Sequence, residues 1–295
     1  MKRTLSVLKA AAFAAAFSAS AAAAEFQAGV SLLAEYDSNV LPDPDSETDS
    51  VAAWGARQSA YFGLEGHWPQ RVEWQGRYDV SQSVWQDVEG FNSLMQSGYL
   101  RVSRDAAFSP ELAILAADVS VDNVDFMQLM RITPALSTLV GSTWYFRGQL
   151  DLSQKTFVDY PERDAQQVYG RVLAYWLFDK TRRYLSMQLG AKREEAEQDL
   201  YSYWGSVAGL KWRQKMKSLQ WTLVLKSEQR DYDEIRSSLG EPRQDRRVRI
   251  SSGLEWTLGA GFSVAAEIGY DHYQSNLDVA DYAQNRAEIG LSWDY

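Results

Sequence analysis

Cysteine is absent from the 295 residues. Without it there is no disulfide framework, so stability must come from strand pairing or from a large core. Histidine occurs only at His67 and His272, which leaves little for histidine-based acid–base or nucleophile chemistry. Beyond the N-terminal stretch, no apolar run approaches the ~20 residues that a membrane-crossing helix needs. Basic residues are in deficit, with 30 Lys and Arg against 39 Asp and Glu. That balance argues against nucleic acid and against anionic surfaces as partners.

What is present begins with a leader. Lys2, Arg3 and Lys9 make a basic start, an Ala/Phe-rich run follows, and small residues end in Ala22-Ala23-Ala24 before Glu25. The pattern predicts a secretory signal peptide over residues 1–24 with an A-x-A cleavage site, leaving 25–295 as one domain. Without the three basic residues of the leader, 27 basic stand against 39 acidic, a net charge of −12. Mean hydropathy is negative, although 13% of residues are aromatic. A transmembrane barrel has this composition, because lumen-facing residues dilute the lipid-facing ones.

The periodicity is two. Val72, Trp74, Gly76, Tyr78 and Val80 alternate with Glu73, Gln75, Arg77 and Asp79; Trp144, Phe146, Gly148, Leu150 and Leu152 repeat the pattern. One face suits an apolar medium and the other suits water. Such stretches recur fourteen times, and the sixth carries Pro134, which removes a ladder donor and predicts a bulge or gap. In the fifth, Ala113, Leu115 and Ala117 are assigned to the apolar side, which turns Asp118 inward. Six connections are short, near 69–71, 105–110, 140–143, 179–183, 213–217 and 258–262. Seven are longer or more acidic, near 38–50, 87–93, 122–127, 157–165, 195–201, 230–246 and 275–283, and the two kinds alternate. The expectation is an all-β, membrane-spanning antiparallel up-and-down barrel of fourteen strands, with short periplasmic turns and longer outside loops. Trp68, Trp74, Phe108, Trp144, Phe178, Tyr184, Trp212, Trp221, Trp256, Phe262, Trp293 and Tyr295 flank the short turns or the C-terminus, where an aromatic belt belongs.

The last octet places Ile289, Leu291, Trp293 and Tyr295 on one face and Glu288, Gly290, Ser292 and Asp294 on the other. It resembles the C-terminal targeting strand of bacterial outer-membrane β-barrels, with Glu288, Gly290, Trp293 and Tyr295 as the assembly signal. The resemblance implies the bacterial outer membrane as location. It also implies the barrel-assembly machinery, outer-membrane lipid and lipopolysaccharide as partners. Glu35-Tyr36-Asp37-Ser38-Asn39-Val40 resembles a motif in the barrel domain of surface lipoprotein assembly modifiers. That family carries a helical-repeat domain ahead of the barrel, which the expected first strand directly after the leader does not allow. The likeness implies passage of an exported lipoprotein.

Strand phase assigns to the lumen Glu73, Arg77, Asp79, Arg101, Arg147, Asp151, Arg171, Lys192, Lys211, Arg249, Glu267 and Arg286. Both signs are interspersed, whereas a strongly selective channel carries a bias of one sign. His67 has no serine motif beside it, and His272 follows Asp271 and so points to the opposite face. Neither supports an enzyme, and no cofactor is expected. The acidic loop Asp37–Asp49 lacks the mid-loop glycine and terminal glutamate of an EF-hand, so no metal is expected either. The leading function is a transport or translocation barrel passing a polar solute or exported material. The alternative is a closed structural or adhesion barrel, contacting partners or lipopolysaccharide through the 230–246 loop with Arg236, Arg243, Arg246 and Arg247.

Overall fold

Each alternating stretch forms a strand. In the computed structural model, which describes residues 24–40 and 51–295, these are β1 (Glu25–Val40), β2 (Val51–Trp68), β3 (Val72–Trp85), β4 (Ser93–Arg104), β5 (Ser109–Val121), β6 (Val124–Val140), β7 (Trp144–Phe157), β8 (Ala165–Leu177), β9 (Arg183–Ala196), β10 (Tyr203–Met216), β11 (Leu219–Arg236), β12 (Glu241–Gly259), β13 (Phe262–Ser275) and β14 (Tyr282–Asp294). The leader and most of the acidic loop fall outside the described residues. Each strand pairs antiparallel with the next, and β14 returns to β1 from Gly29↔Asp294 to Asp37↔Arg286. Closure matters because lipid offers no water to an unpaired N–H or C=O.

Large apolar side chains stand exposed on the outer face of the wall, among them Leu32, Phe62, Ile114, Ile132, Val172, Leu189, Ile250, Ile268 and Ile289. In water this surface would drive aggregation; in a bilayer it is the solvated face. The interior is not an apolar core. Among the described residues the one buried apolar cluster is Val40, Ala53 and Val88 with Trp85 and Phe91, at the loop ends of β1, β2 and β3. At the opposite end, aromatic rings form a chain around the short turns. Trp68 meets Trp74 at 6.2 Å, Trp144 stacks on Trp176 at 5.7 Å, and Phe178 bridges Trp176 (4.4 Å) and Trp212 (5.5 Å). Tyr295 touches both Phe26 and Trp293 across the closing seam.

Pro134 leaves the local gap expected of it. β6 stays in register with β5 through Leu112↔Pro134, while the β6–β7 ladder skips from Ile132↔Leu152 to Ala135↔Gln149.

Four expectations are corrected. The 122–127 loop is a two-residue turn, because Asp122 (φ 47°) and Asn123 (φ 64°) both take the left-handed conformation of a tight hairpin. The 230–246 loop is mostly strand: β11 and β12 run to Arg236 and resume at Glu241, with a register shift between Asp231 and Ile235. Its alternation is charged on both faces, so hydropathy does not reveal it. Asp118 points outward, because both faces of β5 carry aliphatic residues and the phase is inverted. Ala113 and Ala117 are buried, and Leu112 and Ile114 are exposed outside. Tyr184 belongs to the interior, edge-on to Tyr175 at 5.6 Å, and not to the belt.

Candidate functional site: the charged lumen

Alternation along the strands puts all twelve of the charged residues assigned to the lumen on the face opposite the exposed aliphatic side chains. Neighbouring positions on one strand or across the register then pair most of them, while Glu73, Lys211 and Glu267 make no ion pair among the described residues. On β3, Arg77 grips Asp79 through Nε (2.8 Å) and Nη2 (2.6 Å) and lies over the Tyr61 ring at 3.8 Å. Arg147 donates to both carboxylate oxygens of Glu111, at 2.6 and 3.2 Å, with Arg101 4.0 Å from the same group. Asp151 accepts from Arg171 (2.9 Å), from Thr133 (2.7 Å) and from Gln149 (3.2 Å). Lys155 and Tyr203 donate to Glu194 at 2.7 and 3.0 Å.

Two assemblies are larger. Glu228 on β11 is met by Lys192 at 2.5 Å, Arg230 at 2.7 Å and Lys226 at 3.6 Å. Lys192 reaches it from β9, two strands away, by lying across Gly205 of β10. A Cβ at Gly205 would fall 2.8 Å from the lysine Cε. Asp271 on β13 accepts from Arg249 (2.9 Å) and Arg247 (3.0 Å) of β12 and from Arg286 (2.5 Å) of β14. On the next seam, Arg57 donates to Glu35 and stands 3.6 Å from Glu288.

In three of these pairs the signs separate by depth, although Lys192 is as buried as Glu228. Side chains of Asp271, Glu35 and Glu228 are 0%, 3% and 9% exposed, whereas Arg286, Arg57 and Lys226 are 32%, 36% and 43% exposed. The geometry has a plain cause. A short carboxylate stays at the wall, and a long cationic side chain roots there and carries its head toward water. Charges taken out of water need this pairing, since removing one partner of a buried pair costs about 3–5 kcal/mol.

Sequence reasoning passes over Arg57, Glu111, Arg230 and Asp271 as lumen residues, and meets Glu35 only on the polar side of the first strand and in its motif. Asp271 was visible only as the neighbour of His272, and it faces the interior while His272 packs near Tyr270 on the outside. Of the arginines expected on an outside loop, Arg243 pairs with Asp245 at 2.8 Å and Arg247 with Asp271. Arg246 is the exposed one, and Arg236 ends β11. In the C-terminal octet, Glu288 faces Arg57, and Gly290 is required by crowding. A Cβ there would sit 2.6 Å from the Leu32 carbonyl oxygen and from Leu33 Cγ. No group of three His, Asp or Glu side chains that could hold a metal occurs among the described residues.

No family model matches the chain, and no curated protein matches it in sequence. Solved structures do match in shape. OmpT, an outer membrane protein of Vibrio cholerae, folded in vitro, superposes with a TM-score of 0.56 at 8% identity, over 92% of this chain and 97% of that one. Its loop L8 deletion mutant gives 0.55 at 9% identity, over 92% and 100%. An anion-selective porin from Comamonas acidovorans gives 0.51 at 7% identity, over 92% and 99%. These likenesses carry no trace of the surface lipoprotein assembly modifier resemblance. They also correct the reading of the chain as no enzyme. That reading rested on two histidines, whereas a shape shared with OmpT at 8–10% identity shows the fold and neither excludes nor assigns catalysis. What sequence pattern, closed topology and superposition agree on is the fold: a fourteen-stranded barrel of the outer-membrane kind.

Proposed function

We propose that the chain forms a channel for small polar solutes across the outer membrane. The supporting observation is the interior itself, a wall rich in charged, amide and tyrosine side chains whose one buried apolar cluster among the described residues lies at the loop ends of β1, β2 and β3. Eight strands enclose only enough room for side chains, and the lumen widens roughly linearly with strand number. In this reading Glu73, Arg77, Asp79, Arg101, Arg147, Asp151, Arg171, Lys192, Lys211, Arg249, Glu267 and Arg286 line the aqueous path. Glu288, Gly290, Trp293 and Tyr295 serve assembly, and lipid and lipopolysaccharide surround the outer face.

Passage of an exported lipoprotein, which the Glu35–Val40 likeness implied, draws no support from the relatives in shape. Those residues already have work in the wall: Glu35 binds Arg57, and Asp37 accepts from the Asn39 N–H (2.9 Å) and from Gln284 (2.6 Å). The adhesion reading would use a strand-built hairpin at 230–246 in place of an irregular loop, since β11 and β12 exceed the ~10 residues a membrane-crossing strand needs. Liposome swelling tests the channel. Vesicles holding the refolded chain from Glu25 onward should swell in isotonic pentose faster than protein-free vesicles, and equal rates would overturn the proposal.

A further inference from the structure

Four strands of the wall, β9 and β11 to β13, together with β14, carry a contiguous field of cations over two sunken carboxylates. Lys226 and Arg249 are register partners, as are Glu228 and Arg247, so the Glu228 and Asp271 assemblies share the β11–β12 seam. A notch between them is walled by Lys226, Glu228, Arg247 and Arg249. Lys192, Lys226 and Arg230 surround the first carboxylate, and Arg247, Arg249 and Arg286 surround the second. Six positive charges stand over these two carboxylates, and counting Asp37, which lies in register with Arg286, leaves a net of +3 on this part of the wall.

The donors are not used up. Arg247 and Arg249 each turn Nε to Asp271, and Arg286 turns one Nη. A guanidinium has five N–H donors in a fixed fork, and such forks match carboxylate and phosphate oxygens. Acidic residues gather two register positions away, where Glu267, Glu288 and Glu35 follow one another across β13, β14 and β1 with Arg57 among them.

We propose that the β11–β12 cationic field is a binding site for small multivalent anions, and that it makes the lumen anion-selective. The selectivity rests on the channel reading; the binding site does not. Low-dielectric walls lined by one sign raise the local concentration of the opposite ion, and rings of Arg and Lys select anions in pores.

The test is the reversal potential of the refolded chain in a planar bilayer under a tenfold KCl gradient. The expected result is a chloride-to-potassium permeability ratio of about three or more. The double variant K226Q/R249Q should bring the ratio close to one. It leaves Glu228 with Lys192 and Arg230, and Asp271 with Arg247 and Arg286, and heat-modifiable gel migration checks that it folds. A conducting barrel that prefers potassium or neither ion overturns the inference and spares the channel. In parallel, equilibrium dialysis of inorganic pyrophosphate against the barrel in neutral micelles reads the site without conduction. Binding that K226Q/R249Q weakens at least fivefold upholds the site even if the barrel is electrically silent, and no binding by the wild-type chain overturns it.

Discussion

Two carboxylates sink into the wall on either side of β14, and that strand serves both. Arg286 reaches Asp271, and two residues on, Glu288 stands opposite Arg57, which holds Glu35. The first assembly sets three cations on one acid. The second sets one cation between two acids, and Oε1 of Glu35 is left without a partner. Carboxylates at nearly the same depth thus give opposite local charge. The difference lies in what the neighbouring strands supply: Asp271 receives arginines from both β12 and β14, whereas Glu35 receives Arg57 from β2 and a second glutamate, Glu288, from β14.

Removing the hub of the first assembly has the largest expected effect. Asp271→Ala leaves three guanidinium groups facing one another with no anion, and should cost about 3–5 kcal/mol, read as a drop in the denaturant midpoint of the refolded barrel. A wild-type midpoint would mean the three arginines are adequately solvated and the hub is dispensable.

Next comes the strand that joins the two assemblies. Gly290→Ala would press a methyl group into Leu32 and Leu33 of β1. The closing seam should loosen by about 1–3 kcal/mol, as over-packing elsewhere does. Hydrogen exchange should rise in β1 and β14 before it rises in β6 or β7.

Glu35→Gln should cost less, about 1 kcal/mol, because Arg57 keeps Glu288 and a bond to Ser83 at 3.1 Å. A loss as large as that of Asp271→Ala would erase the contrast between the two sites.

The smallest expected effects are opposite in sign. Arg286→Gln should lower the chloride preference and Glu288→Gln should raise it, each by about twofold or less, through the lumen-facing charge each position contributes. Reversal potentials read both, and a shift in the same direction for the two would show that local charge does not govern selectivity.

Side, but not depth, was legible in the sequence. Alternation along Trp144–Leu152 or Val72–Val80 says which residues look inward, and the C-terminal octet announces a lipid-facing strand. Where both faces are aliphatic, as in β5, the phase inverts and Asp118 goes to the wrong side. Where both are charged, as in β11 and β12 beyond Arg230 and Asp245, strand passes for loop. Depth needs the register. That Asp271 lies beneath three arginines follows from the β12–β13 and β13–β14 pairings, and no single strand contains that information. The apparent even mixture of charges had the same origin, since a count along the chain cannot separate a carboxylate at the wall from a guanidinium in the lumen.

The most direct test is the single-channel current of the refolded chain in a planar bilayer, recorded across voltage in 1 M KCl. Discrete, long-lived openings with near-linear current are the expected result, because the interior is polar and charged. A barrel that migrates as folded yet passes no current at any voltage would contradict the water-filled path on which the proposed function stands.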